Sequence, residues 1–214
     1  MPKSEGVRMD TPLNNIGFWT ALVACVAAAG FSVAQILQVI GLLTYPWDEI
    51  LIYGFSLFIA TPFLLAMLAL HYVTPDEKRF WSHAAVLFAV MYATYVTLNY
   101  VVQLTAVIPY AAPDPVLVQT PHSLFWTVDA LGYIALGLAT LFAVPLFAKQ
   151  GLQKWLRWFL LANGLITPLI AFVYFYPVFS TTLLLLGLPW IVTVTGSMLL
   201  LTLCFREARE YEAG

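Results

Sequence analysis

Asp129 lies in the stretch Pro121 to Tyr133, PHSLFWTVDALGY, which opens a long apolar segment. It is the one formally charged residue placed well inside such a segment. His122, Trp126, Asp129 and Tyr133 follow one another at intervals of four, three and four, a spacing that puts all four on one face of a helix. A carboxylate surrounded by hydrocarbon must be given water, hydrogen-bond partners or a proton, because the bare charge is costly. Intramembrane carboxylates commonly mark ion, proton or substrate pathways. His122, two turns above, is placed to exchange protons between Asp129 and solution.

Further polar side chains recur on other apolar segments. Tyr92, Tyr95, Asn99 and Gln103 follow at intervals of three, four and four, a stripe that must face protein or water, not lipid. Gln35 and Gln38 stand near the end of the first segment, and Asn163, Thr167 and Tyr174 share a face of the fifth. At a rise of about 1.5 Å per residue, Asp129, Asn99, Gln103, Gln35 and Gln38 fall at a similar depth, with Asn163 deeper. We therefore expect a polar pocket centred on Asp129. Asn99, Gln103 and Gln38 are its expected direct partners, with Gln35 at the same level and His122 at the mouth. Tyr92, Tyr95, Trp126 and Tyr133 line it, and Tyr133 links it toward Asn163. The bland alternative is that the same groups only lock helices together.

The elements that must position these residues are legible from composition and hydropathy. Of 214 residues, 62% are hydrophobic and 9% charged, with mean hydropathy +0.87. Soluble domains carry about 25% charged residues, so an all-α polytopic membrane protein is the class that fits. Six apolar segments run approximately over 17–43, 49–72, 80–108, 123–148, 154–176 and 182–205, each near or above the roughly 20 residues a spanning helix needs. We read 1–16 as a short N-terminal segment, 17–205 as one six-helix transmembrane domain and 206–214 as a short tail. The first apolar segment is too long for a cleaved signal peptide, and no lipidation box is seen. Pro62 is expected to kink the second helix, and Ala21, Ala24, Ala28 and Ser32 give the first a small-residue stripe for close packing.

All nine basic residues fall in loops that alternate spans place on one side: Lys3 and Arg8; Lys78 and Arg79; Lys149, Lys154 and Arg157; Arg206 and Arg209. The positive-inside rule then puts both termini in the cytoplasm and Asp129 in the outer half of the bilayer of a bacterial inner membrane. The stretch Tyr110 to Pro121, with three prolines and no basic residue, is the longest connection and a candidate lid over the outer mouth. Trp19, Trp47, Trp81, Trp155 and Trp158 suit an interfacial belt. Phe18-Trp19-Thr20 recurs as Phe125-Trp126-Thr127, a slender hint of an inverted three-plus-three repeat.

The pattern also excludes. There is no intramembrane lysine for a Schiff base, no HExxH zinc motif, no phosphate-binding glycine loop and no basic nucleic-acid patch. His71 and His83 flank one turn without a convincing third ligand, so no metal and no cofactor is expected. Cys25 and Cys204 read as apolar fillers. The function expected is binding, and translocation, of a small solute, a proton or a lipid-like molecule, with membrane lipids as surroundings. The rivals are an integral membrane enzyme acting on a lipid, with Asp129 as acid or base, and an accessory subunit without a ligand.

Overall fold

The computed structural model describes residues 11–110 and 114–213, and these residues contain helices and turns but no strand. Helix α1 is Thr11–Val39, α2 Trp47–Val73, α3 Arg79–Val102, α4 Leu124–Ala143 and α5 Gly151–Phe175. A short α6, Thr181–Leu184, precedes α7, Leu188–Ala213. Six helices are long and apolar enough to cross a membrane: Pro12–Val39, Trp47–Val73, Asp76–Val107, Leu124–Leu146, Gly151–Phe175 and Thr182–Glu210. Residues 1–10 of the expected 1–16 segment, with Lys3 and Arg8, residues 111–113 of the expected lid and residue 214 lie outside the described residues.

Each long helix packs on its sequence neighbour, and α7 closes against both α5 and α1, so the six form a ring. Antiparallel neighbours follow from the short connections. One end, the terminal end, holds the start of α1 and the end of α7, where Arg209 lies over the Phe18 ring at 4.6 Å. The other, the distal end, holds the α1–α2 turn and the 114–123 segment. Buried alanines make the ring tight. Ala21, Ala24, Ala28 and Ala34 face inward on α1, each no more than 2% exposed, as small residues allow helices to approach closely. At Gly137 on α4, any side chain would run into Thr167 of α5.

The outward surface is apolar. Val26, Phe58, Leu165 and Val192 are all more than 60% exposed, which water disfavours and hydrocarbon does not. All five tryptophans expected at the belt are exposed, whereas Trp126 is half-buried and Trp190 is buried. The six long apolar helices and this surface mark a membrane protein.

Several boundaries depart from expectation. Helix α1 stops at Val39, not 43, because the chain turns at Gly41 with φ 74°, a conformation glycine adopts without penalty. α2 runs unbroken through Pro62. The sixth span is interrupted: α6 and a 3-10 turn, Leu185–Gly187, lead into α7, with Pro189 in its first turn, where a missing N–H costs nothing. The two Phe-Trp-Thr triplets occupy unlike surroundings. Trp19 is 58% exposed, while the Trp126 indole donates to the Tyr174 carbonyl at 2.9 Å.

Candidate functional site

Asp129 sits in the second turn of α4, 3% exposed. Its Oδ1 accepts from the Tyr100 hydroxyl of α3 at 2.6 Å. Its Oδ2 accepts from the Tyr174 hydroxyl of α5 at 2.5 Å and from the Gln119 amide at 3.0 Å. Three neutral donors from two helices and one loop thus hold the carboxylate, and among the described residues no cation pairs with it. Charged acceptors make short, strong hydrogen bonds, so the donors offset much of the cost of burial.

The donors are themselves positioned by an aromatic collar. The Tyr53 ring of α2 stacks on Tyr100 at 4.9 Å. Tyr174 packs against Trp126 at 4.5 Å and Tyr133 at 5.7 Å. Tyr133 in turn meets Trp190 of α7 at 5.0 Å, and Trp190 meets Phe31 of α1 at 5.4 Å. The chain of contacts from Tyr53 to Phe31 therefore touches all six spanning helices at the level of Asp129. Tilted and edge-on rings of this kind each contribute about 0.5–1.5 kcal/mol beyond area burial.

Above the carboxylate, the loop forms a lid. The Asn99 amide donates to Gln119 Oε1 at 2.9 Å. The Gln103 amide donates to the Leu117 carbonyl at 2.7 Å, and the Gln119 backbone N–H donates to Gln103 Oε1 at 3.3 Å. Gln103 opens a π-turn, Gln103–Val107, closed by Ile108 N–H donating to the Gln103 carbonyl at 2.9 Å. Such turns recur at functional sites because they re-aim side chains on a helix. Both amide residues are fully buried, and Asn99 Oδ1 has no partner.

Two spaces adjoin this cluster. Beneath the carboxylate, a void of about 10 Å³ lies among Ser56, Ile59, Tyr92, Val96, Tyr100, Tyr133 and Trp190, enough for about one water. The axis is otherwise filled here, by Phe63, Ile59 and Leu136 among others. On the other side of Tyr174, a half-open cavity of about 100 Å³ lies between α1, α5 and the start of the sixth span. Phe31, Val39, Ile170, Val173 and Leu188 give it apolar walls, and Gln35, Tyr133 and Tyr174 bring polar atoms to it.

The expected partners divide. Asn99 and Gln103 stand beside Asp129, the Asn99 side chain interacting with the carboxyl itself, and Gln119, which sequence reasoning did not single out, bridges both of them to it. Gln38 is not a partner: its amide donates to Asp48 Oδ2 at 2.9 Å, and Gln35 donates to Gln38 Oε1 at 2.7 Å. Asp48, in the first turn of α2, is folded back by the α1–α2 turn and takes the amide first. His122 is not on the Asp129 face. It is exposed, with φ 69°, ahead of the helix, because Ser123 caps α4 by accepting from the Trp126 N–H at 3.2 Å. Trp126 and Tyr133 do share the face with Asp129. Tyr92 is buried against Phe63, and Tyr95 is half-buried at the α3–α4 seam beside Gly132. Asn163 belongs to a separate knot, donating to Thr140 Oγ1 at 3.1 Å and accepting from Thr193 Oγ1 at 3.0 Å. Those groups tie α4, α5 and α7 and turn the Asn163 amide away from Asp129.

Tyr100 and Tyr174 are the other two donors to Asp129. Tyr174 is on the expected face of α5, and Tyr100 lies one position past Asn99, on the edge of the stripe. At the terminal end, the His71 and His83 rings are 5.6 Å apart, and His71 Nδ1 is 2.9 Å from Ser82 Oγ. Among the described residues no group of three His, Cys, Asp or Glu side chains could hold a metal, and both cysteines are free.

No protein-family model matches the chain, and neither a curated protein nor a solved structure matches it.

Proposed function

We propose that this membrane protein binds a small, partly apolar molecule with a cationic head, and that the 114–121 segment gates its entry and passage. The observation that carries this reading is a buried carboxylate held by neutral donors alone, beside a half-open apolar cavity that shares Tyr174 with it. A carboxylate without a counter-cation favours a positive head, or a proton, over an anion. The cavity walls suit a short alkyl or aromatic tail, as small-molecule sites are mostly apolar with a few placed polar groups. Withdrawal of Gln119 would free one acceptor position on Asp129 for the incoming head and open the distal side.

The test uses a decyl ammonium ion and decanol as probes of equal tail length, with binding followed through the fluorescence of the tryptophans at the collar. The ammonium should bind at least about ten-fold more tightly than the alcohol, the equivalent of one charge-assisted hydrogen bond. Asp129→Asn should erase that preference while the folded yield persists. Equal binding of both probes to the unaltered chain, or an unchanged preference in Asp129→Asn, would defeat the proposal.

One observation favours the structural rival. Both carboxylate oxygens already have partners, so Asp129 can serve as a pin between α3, α4, α5 and the loop. On that reading the chain binds neither probe, and Asp129→Asn alters stability alone.

A further inference from the structure

At the terminal end, the connection between α4 and α5 gathers cations around a second cavity of about 260 Å³. Its lining is Val144, Lys149, Lys154, Arg157, Trp158 and Leu161. The end of α4 tightens into a 3-10 turn, Val144–Leu146, whose free carbonyls point at basic side chains. Arg157 Nη1 donates to the Val144 carbonyl at 3.1 Å and the Phe147 carbonyl at 2.9 Å, and Lys78 Nζ donates to the Leu146 carbonyl at 2.8 Å. Cations at a helix C-terminus complement its dipole, and these contacts fix Arg157 with the rest of its guanidinium still unassigned.

Lys149 and Lys154 are exposed. Among the described residues the ion pairs are Arg79–Asp76 and Arg206–Glu210, so none of the three cations at this cavity is neutralised by a carboxylate. Three unpaired charges around one hollow repel one another unless an anion joins them. The hollow is also sided. Trp158, 57% exposed, and Leu161 continue the lining along α5 toward the apolar surface, and Trp155 beside them is 59% exposed. Exposed tryptophans on a spanning helix mark the boundary between headgroups and hydrocarbon.

We propose that this hollow binds the phosphate headgroup of an anionic membrane lipid, with Lys149, Lys154 and Arg157 around the phosphate and an acyl chain lying along Trp158 and Leu161. Basic pockets between spanning helices at the headgroup level recognise such lipids through charge and hydrogen bonding. The apolar continuation is what selects a lipid over a soluble phosphate. The site lies at the opposite end of the bundle from Asp129 and is independent of any ligand there.

The experiment takes the purified full chain in neutral detergent and titrates it with a short-chain phosphatidylglycerol, with phosphatidylcholine of the same chains, and with inorganic phosphate. Bound molecules are counted by native mass spectrometry. Phosphatidylglycerol should bind as a discrete adduct, and the other two should not. The double variant K149Q/K154Q should weaken that adduct about thirty-fold, given the attraction that each basic residue near a membrane surface contributes. K149R/K154R, which keeps both charges, should retain it, and an unchanged elution profile should show that both variants fold. Equal binding of the two lipids, an equal adduct with inorganic phosphate, or full binding by K149Q/K154Q would each overturn the proposal.

Discussion

Replacing Asp129 by two different neutral residues separates its charge from its hydrogen bonds. Asp129→Asn keeps one acceptor oxygen. Placed where Oδ2 now lies, that oxygen still receives the Tyr174 hydroxyl and the Gln119 amide. The new amide nitrogen then faces the Tyr100 oxygen, which can accept, so a single hydroxyl hydrogen loses its partner. Asp129→Ala keeps no acceptor, and all three donors lose theirs. Both variants remove the same buried charge, so the desolvation cost of that charge cancels in the comparison. What remains is two stranded donors at about 1–3 kcal/mol each. Asp129→Ala should therefore be less stable than Asp129→Asn by roughly 2–6 kcal/mol, whichever way each compares with the unaltered chain. Equilibrium unfolding in mixed micelles, followed by tryptophan fluorescence, reads that gap directly. A gap below about 1 kcal/mol would show that the donors do not depend on Asp129 for partners, and the hydrogen-bond network around it would be refuted.

Two further perturbations address the lid and the ring. Gln103→Leu removes the two hydrogen bonds from the Gln103 side chain to the backbone of Leu117 and Gln119; the Gln119 backbone amide should then exchange its hydrogen about ten-fold or more faster, and unchanged protection would mean that the side-chain bonds of Gln119 hold the lid by themselves. Gly137→Ala should destabilise the bundle by about 1–3 kcal/mol, although alanine gains about 1 kcal/mol over glycine in an open helix, because the new methyl meets the Thr167 side chain. Combining it with Thr167→Ala, which removes two of the three atoms met, should recover part of the loss in the same unfolding assay, and strict additivity would show that the two helices are not in contact there.

What can be read in advance is whatever repeats. The six spans and their approximate limits follow from hydropathy, a property of every residue in a window, and small errors at the ends average out. The helix ends are less legible, since single residues decide them: Gly41 turns the chain before the expected end of the first span, and Ser123 starts α4 after His122. Both signals are present, a glycine and a capping serine, but the apolar run around each masks it. The carboxylate is legible because a lone charge on an apolar helix must be given partners, whether it serves a pocket or pins the helices. Its neighbours are harder, for side chains at equal depth compete. Gln38 shares the depth of Asp129 but has Asp48 nearer through a short turn. Gln119 is out of reach of periodicity altogether, since a loop has no repeat from which to infer direction. Asn163 resembles a deeper extension of the pocket because a buried amide needs partners, and Thr140 and Thr193 supply them.

The cations of the bundle gather at one end, and that bears on what can approach Asp129. Among the described residues, every lysine and arginine lies at the terminal end. The distal end holds Asp48, Glu49, Asp114 and Asp129, with His122 as its one titratable base among those residues. Asp48 Oδ1 is without a partner there. A cation nearing the lid therefore meets a field of one sign with no lysine or arginine to repel it, and low-dielectric walls prolong such a field. An anion meets the reverse, and would also have to sit beside a carboxylate whose donors are already engaged. The terminal end also holds Asp76, Glu77, Glu207 and Glu210, but the cations around the α4–α5 hollow have no carboxylate partner, and anionic lipids concentrate where such cations face them. On the two proposals above, this segregation would sort ligands by charge, cationic heads toward Asp129 and phosphates toward Lys149, Lys154 and Arg157. Reversing the charge of Asp48 alone, Asp48→Lys, should then slow the arrival of a cationic probe, read by stopped-flow tryptophan fluorescence, without touching any group that contacts Asp129. An arrival rate that is unchanged at low salt would show that the field at the distal end does not steer the probe.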